Sequence, residues 1–420
     1  MLKKIIIFFI LSSLLFSSFS THAFELDQSN ATVEGYYLYD MNHNILMANE
    51  NADILISPSS TAKIMSACII LESGIDLKQE ITVTKNMLNG VSGRNMLLKP
   101  GDVLSGEDLL YAVLCGGYND ATHVLAIATY KSIYKFTEKM NEKAVELRMT
   151  NTHYLNPTGI DAEEMVTTIN DVALLAKYMS KNETFVSICS TKYYKLSDNS
   201  VCDFKTISNR SSLLSEYKGL ANFSTGSGDN GDSAVLFYEN EDLSLISIVM
   251  NAKSKNSNNN TNYSEVYSKK LFSHAYNNYS YKTVKTKNEI ITSLPVKYSI
   301  SSENINVYLQ NDLKIFTSES LDIEKEFSFS IYIKNGELCA PLNNDDVVGT
   351  ITVFADGILL GSAPLIIKEN IERNTFLYFM EIFKQFILSR VLLISMIAFL
   401  FMIIIYFIRK KRKFRKRKHK

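Results

Sequence analysis

One short stretch, residues 56–67 (ISPSSTAKIMSA), most constrains how this chain can fold. Pro58 suits the first turn of a helix, and the apolar residues after it indicate a helix buried in a core: Ile64, Met65, Ala67, Ile69, Ile70 and Leu71. Ser60 and Lys63 are three residues apart, so a helix would present both on one face. Serine becomes nucleophilic when a base removes its proton, and a desolvated lysine can serve as that base. The stretch therefore predicts Ser60 as a nucleophile and Lys63 as its base.

Both ends of the chain carry apolar runs next to basic residues. Two lysines precede an apolar run ending at Phe19 and a small-residue cleavage site at residues 21–23, so we predict a signal peptide over residues 1–23. Residues 391–408 contain no charge and are just long enough to span a bilayer, and a basic tail (409–420) follows them. These patterns predict an exported body, one transmembrane helix and a cytoplasmic tail.

The body between these ends is acidic, although the formal net charge of the whole chain is zero. Residues 24–389 contain 44 Asp and Glu against 31 Lys and Arg, which gives a net charge of −13. Nucleic acid attracts Lys and Arg through its phosphates, so we exclude it as a partner. The six histidines are scattered without ligand spacing, and we predict neither a metal site nor a cofactor.

The five cysteines are widely spaced and odd in number, so at least one thiol stays unpaired in a monomer. Cys189 and Cys202 are candidates for a disulfide, with buried free thiols as the alternative. Cys115 is interpreted as a buried thiol rather than a substitute nucleophile.

The order of elements predicts an α+β or α/β domain over residues 24–283. A hairpin precedes Ser60, a helical block follows it, and two strands (234–238 and 243–250) come before a helix over 264–278. From 284 to 368 the pattern is all strand, which predicts a smaller β-rich domain.

A juxtamembrane segment over residues 369–390 completes the predicted organisation. Its apolar residues recur at helical spacing: Phe376, Phe379, Met380, Phe383 and Ile387. This stripe suits the membrane interface, and packing under the β-rich domain is an equal alternative.

Several ordered motifs together resemble the penicillin-binding D-alanyl-D-alanine carboxypeptidases of bacterial cell-wall maturation. The likeness covers about residues 32–367. It rests on the hairpin and on motifs in the family's order: Pro58-Ser59-Ser60-Thr61-Ala62-Lys63, Asn119-Asp120-Ala121, Asn156-Pro157-Thr158-Gly159, Thr225-Gly226 opening a strand pair, Ala340-Pro341-Leu342 and Ala363-Pro364-Leu365.

The resemblance implies a transpeptidase/β-lactamase-like domain with an antiparallel sheet and a helical subdomain. In such enzymes the serine, here Ser60, attacks the bond between two terminal D-alanines of a peptidoglycan stem peptide, and the lysine, here Lys63, takes its proton. Asn119 is expected to bind the substrate amide, and Thr225 and Gly226 the rest of the substrate. β-Lactam antibiotics are expected to acylate the same serine.

Two side chains that this family carries are missing here. Gly117 stands where the second motif has a serine, and Ser224 stands where the third motif has a lysine that holds the substrate carboxylate. A positioned proton donor contributes about 10²–10⁴ in rate, so the loss is large unless another group compensates. Lys218 and Arg94 are the candidates for a replacement cation.

Three interpretations follow from this sequence. The first is a working carboxypeptidase with a remodelled site. The second is a membrane-anchored binding or scaffolding protein that recognises wall peptide without turnover. The third is a secreted β-lactamase, which fits the extra β-rich domain and the membrane segment poorly. The acidic residues near the third motif, such as Asp232, Glu239 and Asp242, predict a locally negative strand pair.

Overall fold

The computed structural model describes residue 24 and residues 26–228, 230–255, 261–300, 304–321, 327–355, 357–387 and 390–417. The chain divides into two compact units, Met1–Tyr279 and Ser280–Lys420. The predicted signal peptide, residues 1–23, lies outside the described residues.

The first unit is built on an antiparallel sheet in the order β3-β2-β10-β9-β8, and β1 pairs with the far end of β10. The strands are β1 (Ala31–Thr32), β2 (Gly35–Asp40), β3 (Ile45–Glu50), β8 (Leu220–Gly228), β9 (Gly231–Glu239) and β10 (Ser244–Ser254). Two small hairpins accompany it, formed by β4 (Glu80–Thr82) with β5 (Val103–Ser105) and by β6 (Tyr193–Lys195) with β7 (Thr206–Ser208). The predicted hairpin before Ser60 is confirmed as β2 and β3.

The described residues of this unit also form seven α-helices: α1 (Ala62–Glu72), α2 (Gly106–Tyr111), α3 (Asn119–Tyr130), α4 (Ile133–Glu146), α5 (Ile169–Met179), α6 (Glu183–Cys189) and α7 (Tyr263–Asn278). Strand β10 is buried along nine consecutive residues, from Ser244 to Ala252. A strand buried at successive positions has cover on both faces of its sheet, and here α5 and α7 both pack against β10. The sheet is therefore enclosed between helices.

The helical block predicted after Ser60 includes two consecutive helices, α3 and α4, with a sharp break between them. Lys131 ends α3 in the left-handed conformation, with φ of 63°, and Ser132 is extended. A residue in this conformation breaks the run of helical hydrogen bonds, so the chain turns and begins a new helix.

Asp120, in the first turn of α3, pins the loop that precedes the helix. Its side chain is buried, and its two carboxylate oxygens accept hydrogen bonds from the backbone N–H groups of Met96 (3.1 Å) and Leu98 (3.0 Å). An acidic residue at a helix N-terminus also interacts favourably with the helix dipole. The loop over residues 92–98 is thereby fixed against the start of α3.

Up to residue 366 the described residues of the second unit form mainly β-strands, in line with the predicted β-rich domain. Its main sheet has the order β15-β17-β18-β13-β12-β16, and β11 pairs with β14. The strands are β11 (Tyr279–Lys285), β12 (Ile290–Lys297), β13 (Asn304–Leu309), β14 (Leu313–Ser318), β15 (Ser328–Ile333), β16 (Leu338–Cys339), β17 (Val347–Ala355) and β18 (Ile358–Ile366). A separate core holds it together, built from residues such as Val307, Leu313, Val353 and Leu365.

Two helices end the described chain, α8 (Thr375–Ile387) and α9 (Arg390–Arg417). No residue of α8 is buried, so the alternative that its apolar stripe packs under the β-rich domain is wrong. The predicted transmembrane stretch, 391–408, folds as part of α9. Among the described residues we find no helix that is both long and apolar enough to cross a bilayer.

Replacing Asp120 with alanine should destabilise the first unit, because the N–H groups of Met96 and Leu98 lose a charged acceptor. We expect the Asp120→Ala substitution to lower the free energy of unfolding by about 2–4 kcal/mol, measured by urea denaturation of the full chain. Asp198→Ala removes an exposed carboxylate that pairs with Lys195, and should leave the free energy of unfolding essentially unchanged, because water and salt screen an exposed ion pair. Equal effects of the two substitutions would contradict the pinning role of Asp120.

Candidate active site

The turn that carries Ser60 is held by neighbouring backbone groups. A 3₁₀ turn (Ser59–Thr61) leads directly into α1, and the Thr61 hydroxyl donates to the Pro58 carbonyl at 2.5 Å. A side chain at Gly159 would overlap the carbonyl oxygen of Ser59, and Gly159 has φ of 81°, which glycine adopts readily. The turn over residues 156–159 thus packs closely against the backbone beside Ser60.

Lys63 is buried in the first turn of α1, with only 6% of its surface exposed. Its Nζ donates a hydrogen bond to the Thr158 carbonyl at 2.6 Å. Burial disfavours the charged amine, and the nearby Arg210 guanidinium repels it, so the pKa of Lys63 falls to about 7. A lysine with this pKa is about half unprotonated near neutral pH, so it can accept a proton there.

Strand β8 lies at the edge of the sheet and contacts the turn that carries Ser60. A Cβ atom on Gly226 would collide with Ser60 Oγ, so the strand backbone approaches the hydroxyl as closely as only glycine allows. Gly226 is near the end of β8, which corrects the expectation that Thr225-Gly226 opens a strand. The Thr225 hydroxyl donates to Asn222 Oδ1 at 2.7 Å.

Asn119, the first residue of α3, is fixed by the loop before the helix. Its backbone N–H donates to the Arg94 carbonyl and its Nδ2 to the Ser92 carbonyl, both at 2.7 Å. Its Oδ1 is buried and has no hydrogen-bond partner among the described residues. The amide side chain therefore has its donor side fixed and a buried acceptor without a partner among the described residues.

The side chain of Arg210 lies close to both Gly117 and Gly226. A Cβ at Gly117 would lie 3.1 Å from Arg210 Cδ and 3.4 Å from its Nη1, while a Cβ at Gly226 would lie 3.9 Å from the same Nη1. Arg210 therefore occupies the space beside Gly117, next to Ser60. This places a guanidinium group where the family's second motif has a serine hydroxyl.

Arg210 was not predicted as a site residue, and the predicted replacement cations were Lys218 and Arg94. The prediction of Lys218 is wrong. This lysine precedes Leu220, which pairs with Tyr238, and that pair lies at the opposite end of β8 from Gly226. Arg94 is close to the cleft, with its Cδ 4.0 Å from a Cβ position on Gly117. One signal was available: residues 24–279 contain only three arginines, 94, 148 and 210, and two of them lie here.

The segment around Arg210 is tied to β8 and to the helical subdomain. The Arg210 N–H donates to the Cys115 carbonyl at 3.1 Å. Asn209 Oδ1 accepts from the Ser211 N–H at 3.2 Å and from Asn222 Nδ2 at 2.8 Å. The backbone on both sides of Arg210 is therefore fixed, which limits where its guanidinium can reach.

A buried carboxylate supports the same segment from α7. Glu265 accepts hydrogen bonds from the Ser212 N–H at 3.1 Å and from the Ser212 hydroxyl at 2.6 Å. Burial and the neighbouring Arg94 lower the pKa of Arg210, while Asp232 and Glu265 act in the opposite direction. Glu239 and Asp242 lie at the far end of the β9–β10 hairpin. Asp232, near the start of β9, is a strand-pair acid that acts on Arg210.

The cysteines form no disulfide in the described residues, and all five are free thiols. Cys115 is buried beside this segment, and burial raises the pKa of its thiol to about 12. Its Sγ donates to the Ile188 carbonyl at 3.2 Å, so it is a structural thiol as predicted. In the part of the chain that the structure describes, no cluster of His, Cys, Asp and Glu has the composition of a metal site.

Comparisons with known proteins agree with this geometry. A model of the D-alanyl-D-alanine carboxypeptidase family matches residues 22–254, and a model of the penicillin-binding protein 5 C-terminal domain matches residues 279–373. The chain is 24% identical over 341 residues to D-alanyl-D-alanine carboxypeptidase DacF of Bacillus subtilis (strain 168), covering 80% of this chain and 85% of DacF. It is 27% identical over 378 residues to DacC of Escherichia coli (strain K12), covering 85% of this chain and 90% of DacC.

The solved structure of penicillin binding protein 5 from Haemophilus influenzae has the same fold. It aligns with a TM-score of 0.57 at 22% identity, over 83% of this chain and 100% of that one. The first family model alone covers more than half of the sequence. The resemblance inferred from the motifs is confirmed, and the protein belongs to the D-alanyl-D-alanine carboxypeptidase family.

Proposed function

We propose that the protein is a serine-type D-alanyl-D-alanine carboxypeptidase that removes the terminal D-alanine from peptidoglycan stem peptides. The observation that carries the proposal is the contact between Ser60 Oγ and the backbone of Gly226, beside a buried Lys63 and the guanidinium of Arg210. A nucleophile, a base and a cation for a carboxylate therefore lie in one cleft. Family membership supports the same reaction class.

Lys63 starts the reaction in its neutral form. It removes the Ser60 proton as Oγ attacks the carbonyl carbon between the two D-alanines, and the carbonyl oxygen gains the negative charge. Backbone N–H groups of Ser60 and of β8 beyond Gly226 stabilise that oxyanion. The tetrahedral intermediate then breaks its C–N bond, and protonated Lys63 returns the proton to the departing amine. Water attacks the ester, regenerates Ser60 and releases the shortened peptide.

Arg210 supplies the positive charge that Ser224 lacks. Because strand residues alternate, Ser224 shares a face with Gly226, so a lysine there would extend toward the region that Arg210 fills from the other side. A guanidinium binds a carboxylate through two parallel N–H donors. Arg210 therefore holds the carboxylate of the terminal D-alanine, while Asn119 Oδ1 accepts from the substrate amide.

β-Lactam antibiotics enter the same site in this proposal. Their strained amide presents a carbonyl to Ser60 and a carboxylate to Arg210, as the peptide does. Acylation by a β-lactam is therefore a direct test of whether Ser60 is activated.

The proposal places the protein on the outer side of the cell membrane. The signal-like pattern at residues 1–23 and the basic residues from 409 onward favour export of the body. Helix α8 exposes Phe376 (70%) and Phe379 (67%) along one face, which suits attachment at the membrane interface. Attachment there would keep the cleft close to newly made wall peptide.

A catalytically inactive wall-binding protein is the second candidate. It is favoured by Gly117, which cannot supply a hydroxyl to carry a proton to the leaving amine. Penicillin labelling, its pH dependence and the effect of replacing Arg210 distinguish the two candidates.

A fluorescent penicillin should label the purified full-length chain through Ser60. The Ser60→Ala substitution should abolish labelling and D-alanine release from a pentapeptide, because it removes the hydroxyl that becomes acylated in the proposed mechanism. Ser190→Ala, at an exposed helix end, should leave both unchanged. A folded wild-type chain with neither labelling nor D-alanine release would favour the binding candidate.

The acylation rate should rise with pH and reach half its maximum near pH 7. This follows because Lys63, whose pKa is about 7, acts only when it has lost its proton. The Lys63→Arg substitution keeps the charge but cannot deprotonate, so it should lower the rate at least about 100-fold, measured by stopped-flow labelling. Lys135→Arg, on the exposed side of α4, should keep the wild-type profile. A midpoint above pH 9 would be inconsistent with Lys63 as the base.

The Arg210→Gln substitution should lower kcat/KM for D-alanine release by about 10–100-fold, the value of a charged hydrogen bond. It should also raise the pH midpoint of acylation, since Lys63 loses a repelling neighbour. Arg210→Lys should recover part of the rate, and Arg148→Gln, a distant arginine, should change neither quantity. A normal rate with an unchanged midpoint in Arg210→Gln would remove Arg210 from the mechanism.

A further inference from the structure

Two guanidinium groups lie on the same side of the cleft, flanking Gly117. Arg210 is the inner one, near Ser60 and Gly226, and Arg94 is the outer, more exposed one. Arg94 Nε donates to the Gly116 carbonyl at 2.7 Å, and its guanidinium carbon lies 5.0 Å from the centre of the Tyr118 ring. These contacts fix the orientation of Arg94 and use only one of its five N–H donors.

Neither arginine forms an ion pair with a carboxylate in the described part of the chain. The acids that act on Arg210 are engaged elsewhere: Glu265 accepts from Ser212, and Asp232 accepts from the Tyr263 N–H at 3.2 Å. The two guanidinium groups therefore repel each other, and burial together with the neighbouring Arg94 lowers the pKa of Arg210. A single carboxylate at Arg210 would neutralise only one of the two charges.

We infer that the site selects peptides with two carboxylates, the terminal one bound by Arg210 and a second one, on the residue preceding D-Ala-D-Ala, bound by Arg94. This inference rests on the proposed function, because it assigns the inner arginine to the terminal D-alanine. Paired N–H donors of each arginine suit a carboxylate.

The contacts of Asn119 indicate which part of the substrate meets Arg94. The backbone N–H of Asn119 donates to the Arg94 carbonyl, so the two residues are adjacent on the same wall of the cleft. Asn119 binds the amide of the acyl part of the substrate in the proposed mechanism. The substrate residue that lies along Asn119 therefore passes Arg94, and its side chain delivers the second carboxylate.

Two tripeptides that differ only in charge test this inference. They are N-acetyl-Lys-D-Ala-D-Ala with a succinyl group on the lysine Nε, and the same peptide with a succinamoyl group. For the full-length wild-type chain we expect kcat/KM for D-alanine release to be about tenfold or more higher for the succinyl peptide. The preference should shrink as salt is raised, because salt screens charges at an exposed arginine.

The Arg94→Gln substitution should reduce the ratio of the two kcat/KM values to about one, and Arg94→Lys should retain part of it. Arg148→Gln, the remaining arginine of the first unit, should keep the wild-type ratio. A wild-type enzyme that releases D-alanine equally from both peptides would overturn the inference while leaving the proposed function intact. A preference that survives in Arg94→Gln would overturn it too.

Binding of the same peptides to the full-length Ser60→Ala chain, measured by calorimetry, separates this inference from the proposed reaction. Tighter binding of the succinyl peptide that is lost in Ser60→Ala/Arg94→Gln would support the inference even if the wild-type chain releases no D-alanine. Equal binding of the two peptides, or no binding of either, would overturn it.

Discussion

The burial of one amino group, that of Lys63, is the constraint on which the rest of the site depends. An amine removed from water loses its preference for the charged form. Among the described residues, the hydrogen-bond partner of Lys63 Nζ is the Thr158 carbonyl, at 2.6 Å. That environment requires α1 to be surrounded by core, which its nine successive buried residues from Ala62 to Ile70 achieve. It also requires the turn at Gly159 to approach the Ser60 backbone closely. The positions of Lys63, Ser60 and Gly159 thus all follow from one packing arrangement.

The nearby cation differs from an ordinary lysine in ways that matter for the chemistry. A guanidinium is planar, stays charged at all relevant pH values and presents donors in a fixed fork. Arg210 is held through its backbone, by Cys115 and by the Asn209–Asn222 contact. In the proposed mechanism the same side chain serves two purposes: it depresses the pKa of Lys63 and it offers a rigid partner to an anion. The positive charge near Ser60 then comes from Arg210 rather than from position 224, which is a serine.

The local parts of this site could be predicted from the sequence, and the long-range parts could not. Ser60 and Lys63 are three residues apart, so helical spacing predicts that they share one face of the helix. Asn119 and Gly226 followed from the order of short motifs. Arg210 belongs to no motif, and its place depends on how the segment before β8 folds back against the helical subdomain. The prediction of Lys218 as a replacement cation failed because of a long-range effect as well. The register of β8 decides which end of the strand lies near Ser60, and the sequence does not reveal that register.

Secondary structure shows the same division between local and long-range effects. The β2–β3 hairpin is set by a polar turn between apolar runs, and the sequence predicted it. The break between α3 and α4 depends on the left-handed conformation of Lys131. A lysine in the sequence does not predict that conformation. The exposure of α8 likewise depends on what packs nearby, and helical spacing alone does not reveal that.

The conformation of Gly117 makes the loss of the motif serine hard to reverse. Gly117 has φ of 69°, a region that residues with a side chain rarely adopt, and a Cβ there would press against Arg210 at 3.1 Å. A mutation that restored serine would first meet a strained backbone and an occupied space, so it would be disfavoured until the arginine had moved. Descendants of this chain are therefore expected to keep glycine and arginine together, and each position limits which changes the other can accept.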